Sequence, residues 1–203
     1  MILLKNLNKW GGVILLLAMF VMFNSEARAA PACGPFTNST TLTLNVGGCD
    51  YTVEVGYCCN ITAPFPGEFG IKNFMLANPS CSSTLTASEI ARALYDIISD
   101  NAPLYLTGCD YDPIPPCPTY GINWISYEAK CMTIHMEGLN LIYEPCSWDD
   151  GWCATEFEYC FDGQNVQSRP TGWQTEKSSS CPDYIPGGNQ PHNTCFRVDT
   201  MCD

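Results

Sequence analysis

The chain has 203 residues, fourteen of them cysteine, and a formal charge of −12 at neutral pH, with nine Lys and Arg against 21 Asp and Glu. That balance excludes nucleic acid as a partner, because holding phosphates requires clustered Lys and Arg. An acidic surface instead suits solubility, divalent cations or basic partners.

The first stretch reads as an address. Lys5 and Lys9 form a positive start, Val13 to Phe23 is an apolar run, and Ala27-Arg28-Ala29 is a small-x-small cleavage site. The run is 11 residues long, too short for the roughly 20 needed to cross a bilayer. Residues 1–29 are therefore expected to be a secretory signal peptide. Residues 30–203 are then a single secreted domain with no membrane span after cleavage. Lys5, Lys9 and Arg28 leave with the signal and Glu26 is the one acid lost, so six Lys and Arg face twenty Asp and Glu, a formal charge of −14.

All fourteen cysteines lie in the mature part: Cys33, Cys49, Cys58, Cys59, Cys81, Cys109, Cys117, Cys131, Cys146, Cys153, Cys160, Cys181, Cys195 and Cys202. An even number in an oxidising compartment predicts a disulfide framework. The pairings number on the order of 10⁵, and spacing does not choose among them.

Thr40 to Val46 alternates Leu42, Leu44 and Val46 against Thr41, Thr43 and Asn45, the period of a strand with one face in a core. Gly47-Gly48 then predicts a two-residue hairpin turn. The returning strand, Cys49 to Cys59, sets Tyr51, Val53, Val55 and Tyr57 on one face. Its last two residues, Cys58 and Cys59, must seek partners on opposite faces. Asn60 to Ser80, with Pro64, Pro66, Gly67, Gly70 and Pro79, reads as mostly loop, its Phe and Leu residues covering a hydrophobic edge.

One amphipathic helix is predicted over about 86–99. Thr86 with Glu89 makes a capping box, Ile90, Leu94, Ile97 and Ile98 share a face, and Pro103 follows the expected end near Asp100. Residues 101–120 are too rich in proline for a central strand. Strands then follow at Ile122 to Glu128, Lys130 to Met136 and Leu139 to Glu144, with a turn at Glu137-Gly138 and a meander as the simplest arrangement. Cys153 to Phe161 reads as strand and Asp162-Gly163 as a second hairpin turn. Asn165 to Trp173, interrupted by Pro170, reads as an edge strand. Residues 174–194 are loop around Cys181, and Cys195 to Cys202 a short final strand. The fold class is mainly β (α+β): a disulfide-rich antiparallel sheet or sandwich with one helix.

The pattern favours no catalytic centre. Cys131 and His135 on one strand face are about 13 Å apart, too far for a nucleophile–base pair, and Cys131 is expected to be bridged. Glu128, Glu137 and Glu144 are the carboxylates open to a small secreted hydrolase. Cysteine pairs with zinc spacing are absent from the sequence. Asp110 with Asp112, or Asp149 with Asp150, offer oxygen ligands to calcium, but neither pair matches the twelve-residue calcium loop, so no cofactor is expected. Trp148, Asp149, Asp150 and Trp152 form a loop in which rings and carboxylates adjoin, the chemistry that holds a sugar. Asn38 and Asn60 begin Asn-x-Ser/Thr sequons.

The functional expectation is a non-catalytic extracellular structural protein, a self-assembling filament or surface-coat subunit. Its N-terminal arm, around Thr40–Val46, would be donated to a neighbour's sheet. The partner is then the chain itself. The alternative is an adhesin-like module binding surface glycans.

Overall fold

The computed structural model describes residues 36–59, 67–109, 113–183, 186 and 190–203. The signal segment, Cys33, Asn60 and the Asp110–Asp112 pair lie outside the described residues. The described residues form nine strands and one long helix: β1 (Asn38–Val46), β2 (Cys49–Cys59), β3 (Gly67–Leu76), α1 (Ala87–Tyr105), β4 (Ile122–Ala129), β5 (Cys131–Glu137), β6 (Asn140–Pro145), β7 (Trp152–Phe161), β8 (Val166–Lys177) and β9 (His192–Arg197). The expected class, disulfide-rich β with one helix, is the class found. The sheet is mixed rather than antiparallel throughout as expected: β3 and β4 run parallel, and the other strand pairs are antiparallel.

The sheet forks at β3. One side of β3 pairs with β2 along its length, from Tyr51↔Leu76 to Cys59↔Gly67. The other side is shared: Gly67–Gly70 pair with Trp124–Tyr127 of β4, while Phe74 and Met75 pair with Tyr143 and Ile142 of β6. The limbs are β4-β7-β8 and β6-β5-β9, with β1-β2 as the trunk.

The stretch expected to be loop contains β3, the strand at the fork. Its glycines mark close approach rather than chain breaks. A Cβ on Gly67 would lie 2.4 Å from the Cys58 carbonyl oxygen, and one on Gly70 would lie 2.8 Å from that of Tyr127. The expected meander is also absent. β5 and β6 form a hairpin closed at Glu137↔Asn140, its loop one residue later than expected, but β4 pairs with β3 and β7 instead of β5. The chain changes limb at Lys130, which is 4% exposed. The Lys130 carbonyl accepts from the Val198 N–H at 3.0 Å. Its ammonium pairs with Glu176 of β8 and with Asp203, 3.6 Å away, so one buried cation ties one limb to the chain end that follows the other.

The helix packs on one sheet face. Thr86 and Glu89 form the predicted capping box, and Ile90, Leu94 and Ile98 are fully buried with Val53, Val55, Phe69, Ile71, Trp124 and Tyr159 in the main core. The helix kinks at Asn101, where the backbone leaves helical geometry two residues before Pro103. The opposite face carries a smaller cluster of Phe36, Cys58, Ile125, Tyr127, Trp152 and Ala154.

Cys49–Cys81 and Cys59–Cys109 staple the two ends of β2 to the segments before and after α1. Cys117–Cys160 ties the proline-rich loop to β7. Cys131–Cys181, Cys146–Cys195 and Cys153–Cys202 fasten the chain's last part at three points. Cys58 is also disulfide-bonded and belongs to the opposite cluster from its neighbour Cys59, as the alternation of a strand requires. Loops of 32 to 50 residues correspond to about 4 kcal/mol per bridge in the chain-entropy account.

Candidate functional site

The Trp148–Trp152 turn is divided between surface and core. Ser147 caps a short 3₁₀ turn over Trp148–Asp150, its hydroxyl accepting the Asp149 N–H at 3.1 Å. Trp148 is half-buried and meets the Phe36 ring edge-on at 6.0 Å. Trp152 begins β7 and is 4% exposed, its ring 5.6 Å from that of Tyr127. The two indoles therefore do not form a shared open platform. The Asp149 carboxylate is exposed and lies 3.5 Å from the Lys177 ammonium. The Asp150 carbonyl accepts the Ser180 N–H at 2.8 Å and its carboxylate the Ser180 hydroxyl at 3.3 Å. These contacts join the turn to the end of β8 and the segment after it. The described residues contain no group of three or more His, Cys, Asp or Glu arranged to hold a metal.

The hydrolase candidates are dispersed. Cys131 is bridged to Cys181. His135 lies 3.5 Å from Glu144 on the solvent face of the β5–β6 hairpin, beside an open groove of about 560 Å³ that Asn73, Met75, Glu137, Asn140 and Ile142 also line. Glu128 faces elsewhere and is 1% exposed. Burial pushes its carboxyl up to about 7, against the opposing pull of Arg92 at 3.4 Å and the Met201 N–H at 3.0 Å. Enclosed by α1 and the C-terminal segment, it acts as an anchor for both.

The sheet edges differ in how they are finished. Thr40–Val46, expected to be a donated arm, belongs to the chain's own sheet: β1 pairs with β2 from Asn38↔Tyr57 to Val46↔Cys49, and Leu44 and Val46 are buried. The predicted Gly47-Gly48 turn is present, with φ of 59° and 81°, the positive values a type I′ hairpin needs. Among the described residues β1 pairs with β2 alone, which leaves its outer side as a sheet edge. A two-residue loop makes Val46–Cys49 a hydrogen-bonded pair. Leu44 and Leu42 therefore bond inward, while the N–H and C=O groups of Thr41, Thr43 and Asn45 point outward. The nine residues of β1, NSTTLTLNV, include no charge, proline or glycine, and their register with β2 has no bulge. Such devices are how proteins usually blunt an edge. Asn38 sits exposed at the start of this strand.

Composition alone would have singled out β1 as an uncharged run; that it ends the sheet required the pairing. The chain matches no protein-family model, no curated protein and no solved structure.

Proposed function

We propose that this chain is a non-catalytic extracellular structural subunit that associates with other copies through the β1 edge. The observation that carries the reading is an uncharged, proline-free, regular strand of nine residues ending the sheet. Backbone groups on such an edge pair readily with another strand. The predicted signal segment and a framework of six described disulfides fit an oxidising compartment outside the cytoplasm. Among the described residues no helix is long and apolar enough to cross a membrane. The assembly mode is edge addition by a strand already folded into its own sheet, and no donated arm is required.

Light scattering and negative-stain electron microscopy of residues 30–203, beside a Thr43→Lys variant, test this. Thr43 is exposed, so the variant folds normally and places a cation on the edge. Assemblies in the wild type that disappear in the variant support the reading. A wild type that stays monomeric at high concentration ends it.

A second reading, surface-glycan binding, rests on the groove over β3, β5 and β6, where Asn73, Asn140 and Glu144 surround the apolar side chains Met75 and Ile142. Glycan-array binding by wild type and its loss in Glu144→Gln would favour it.

A further inference from the structure

We propose that two copies pair β1 antiparallel to β1 about a two-fold axis at Leu42, so that the unit of assembly is a closed dimer with one continuous sheet. This rests on the edge association proposed above and specifies its partner and register.

Outward-facing backbone groups occur at the odd-numbered residues of β1, so two such edges can bond only with odd residues opposite odd ones. Among those registers, one overlaps all nine residues: Thr41 lies opposite the partner's Thr43, Ser39 opposite the partner's Asn45, and Leu42 opposite the partner's Leu42. About eight backbone hydrogen bonds result, two at each of four bonded pairs. The side chains suit the register on both faces. Threonine meets threonine on the solvent face, a favourable cross-strand pair. On the other face Leu42, half-buried and packed against the main core, meets its own copy at a non-bonded position where side chains approach most closely, and the core continues across the axis.

Charge removes the usual obstacle to joining two acidic chains. No residue of β1 is charged. The acids on the adjacent strand are already engaged: Glu54 accepts from Lys72 at 2.6 Å and Asn73 at 2.8 Å, and Asp50 accepts from Asn45 at 2.8 Å. The same operation at β8 would bring Pro170, Arg169, Glu176 and Lys177 to the contact. The β1 contact is about 30 Å long at ~3.4 Å per residue, small among protein interfaces, and a weak, concentration-dependent dimer is expected. A two-fold contact uses the edge on both copies and closes. Larger assemblies must therefore grow from dimers through a different surface.

Amide exchange followed by NMR at low and high protein concentration reads this out, with a mixed-labelled sample for contacts between copies. The expected result is roughly tenfold slower exchange at high concentration for the Thr41, Thr43 and Asn45 amides, with Leu42 and Leu44 protected at both. An inter-copy contact between Leu42 α-protons should accompany it. Association that Thr43→Lys abolishes but that shows β1 against another strand, or in a parallel sense, overturns the two-fold pairing and leaves the edge reading intact. Absence of association at any concentration overturns both.

Discussion

The strands β1 and β8 end the same sheet and are built in opposite ways. β8 contains Pro170 and Gly172, carries Arg169, Glu176 and Lys177, and breaks register with β7 between Thr155 and Phe157. Arg169 is folded back, paired with Glu158 and lying 3.9 Å over the Tyr120 ring. β1 has none of these features. The contrast teaches that the chain has the means to close an edge and uses them at β8 but not at β1. An undefended edge is a hazard in a protein meant to stay alone, and a suitable surface in one meant to join others.

The largest effect expected from disturbing this comparison comes from the trunk. Replacing Cys49 and Cys81 with serine frees the start of β2, opposite the end of β1, and should lower stability by about 4 kcal/mol. Thermal unfolding of the double variant would measure it, with the first loss of protection expected in β1 and β2.

Next is the pH response, which belongs to the other side of the molecule. Glu128 holds the Met201 N–H, and the Met201 carbonyl accepts from Gln174 of β8 at 2.8 Å. Its carboxyl is raised from 4.5 to about 7, so between those values the folded chain retains a proton that the unfolded chain has released. The stability it contributes is complete below about pH 4.5 and is lost as pH rises through about 7. Glu128→Gln should remove this slope and leave the protein on the order of 2 kcal/mol more stable than wild type at pH 8, with no gain at pH 4. Denaturant unfolding at the two pH values checks it.

Edge chemistry itself can be transplanted. An Arg169→Thr, Pro170→Thr double variant strips β8 of two defences and should add weak, concentration-dependent association that Thr43→Lys does not suppress, measurable by light scattering. The smallest effect is local. Asp162 accepts from the Gln164 and Asn165 N–H groups at 2.8 and 2.7 Å in the β7–β8 loop, and these bonds hold its carboxyl below the usual 3.8. Asp162→Ala should speed amide exchange at those two residues with little change in melting temperature. In wild type the same acceleration should appear only as pH falls through the lowered pKa.

Local chemistry made part of this fold readable in advance. Thr86 and Glu89 announced the start of α1, Gly47-Gly48 the first hairpin, and strand alternation the opposite directions of Cys58 and Cys59, because each signal lies within a few residues of what it specifies. The fork was not readable. β3 carries Gly67 and Gly70, whose close backbone neighbours, Cys58 and Tyr127, belong to other strands, and a glycine read alone looks like a break. The passage between limbs at Lys130 depends on Glu176, Val198 and Asp203, all distant in the chain. The composition around Trp148 reads as a turn, which the structure has, but it does not say that Trp152 begins a strand and faces Tyr127. Alternation in Thr40–Val46 reads as a strand, expected to be an arm donated to a neighbour. That it is an edge already paired with β2 follows from nine register positions, which no local pattern displays in full.

Sedimentation equilibrium of residues 30–203 and of a Thr43→Pro variant, over a range from low micromolar to near millimolar, tests the central claim most directly. The Thr43 N–H points away from β2, so proline there removes an edge donor without removing a hairpin bond. The account predicts a wild type that passes from monomer to dimer or larger species with rising concentration, and a variant that remains monomeric with an unchanged disulfide framework. A monomeric wild type across the range, or a variant that associates as strongly as wild type, would contradict it.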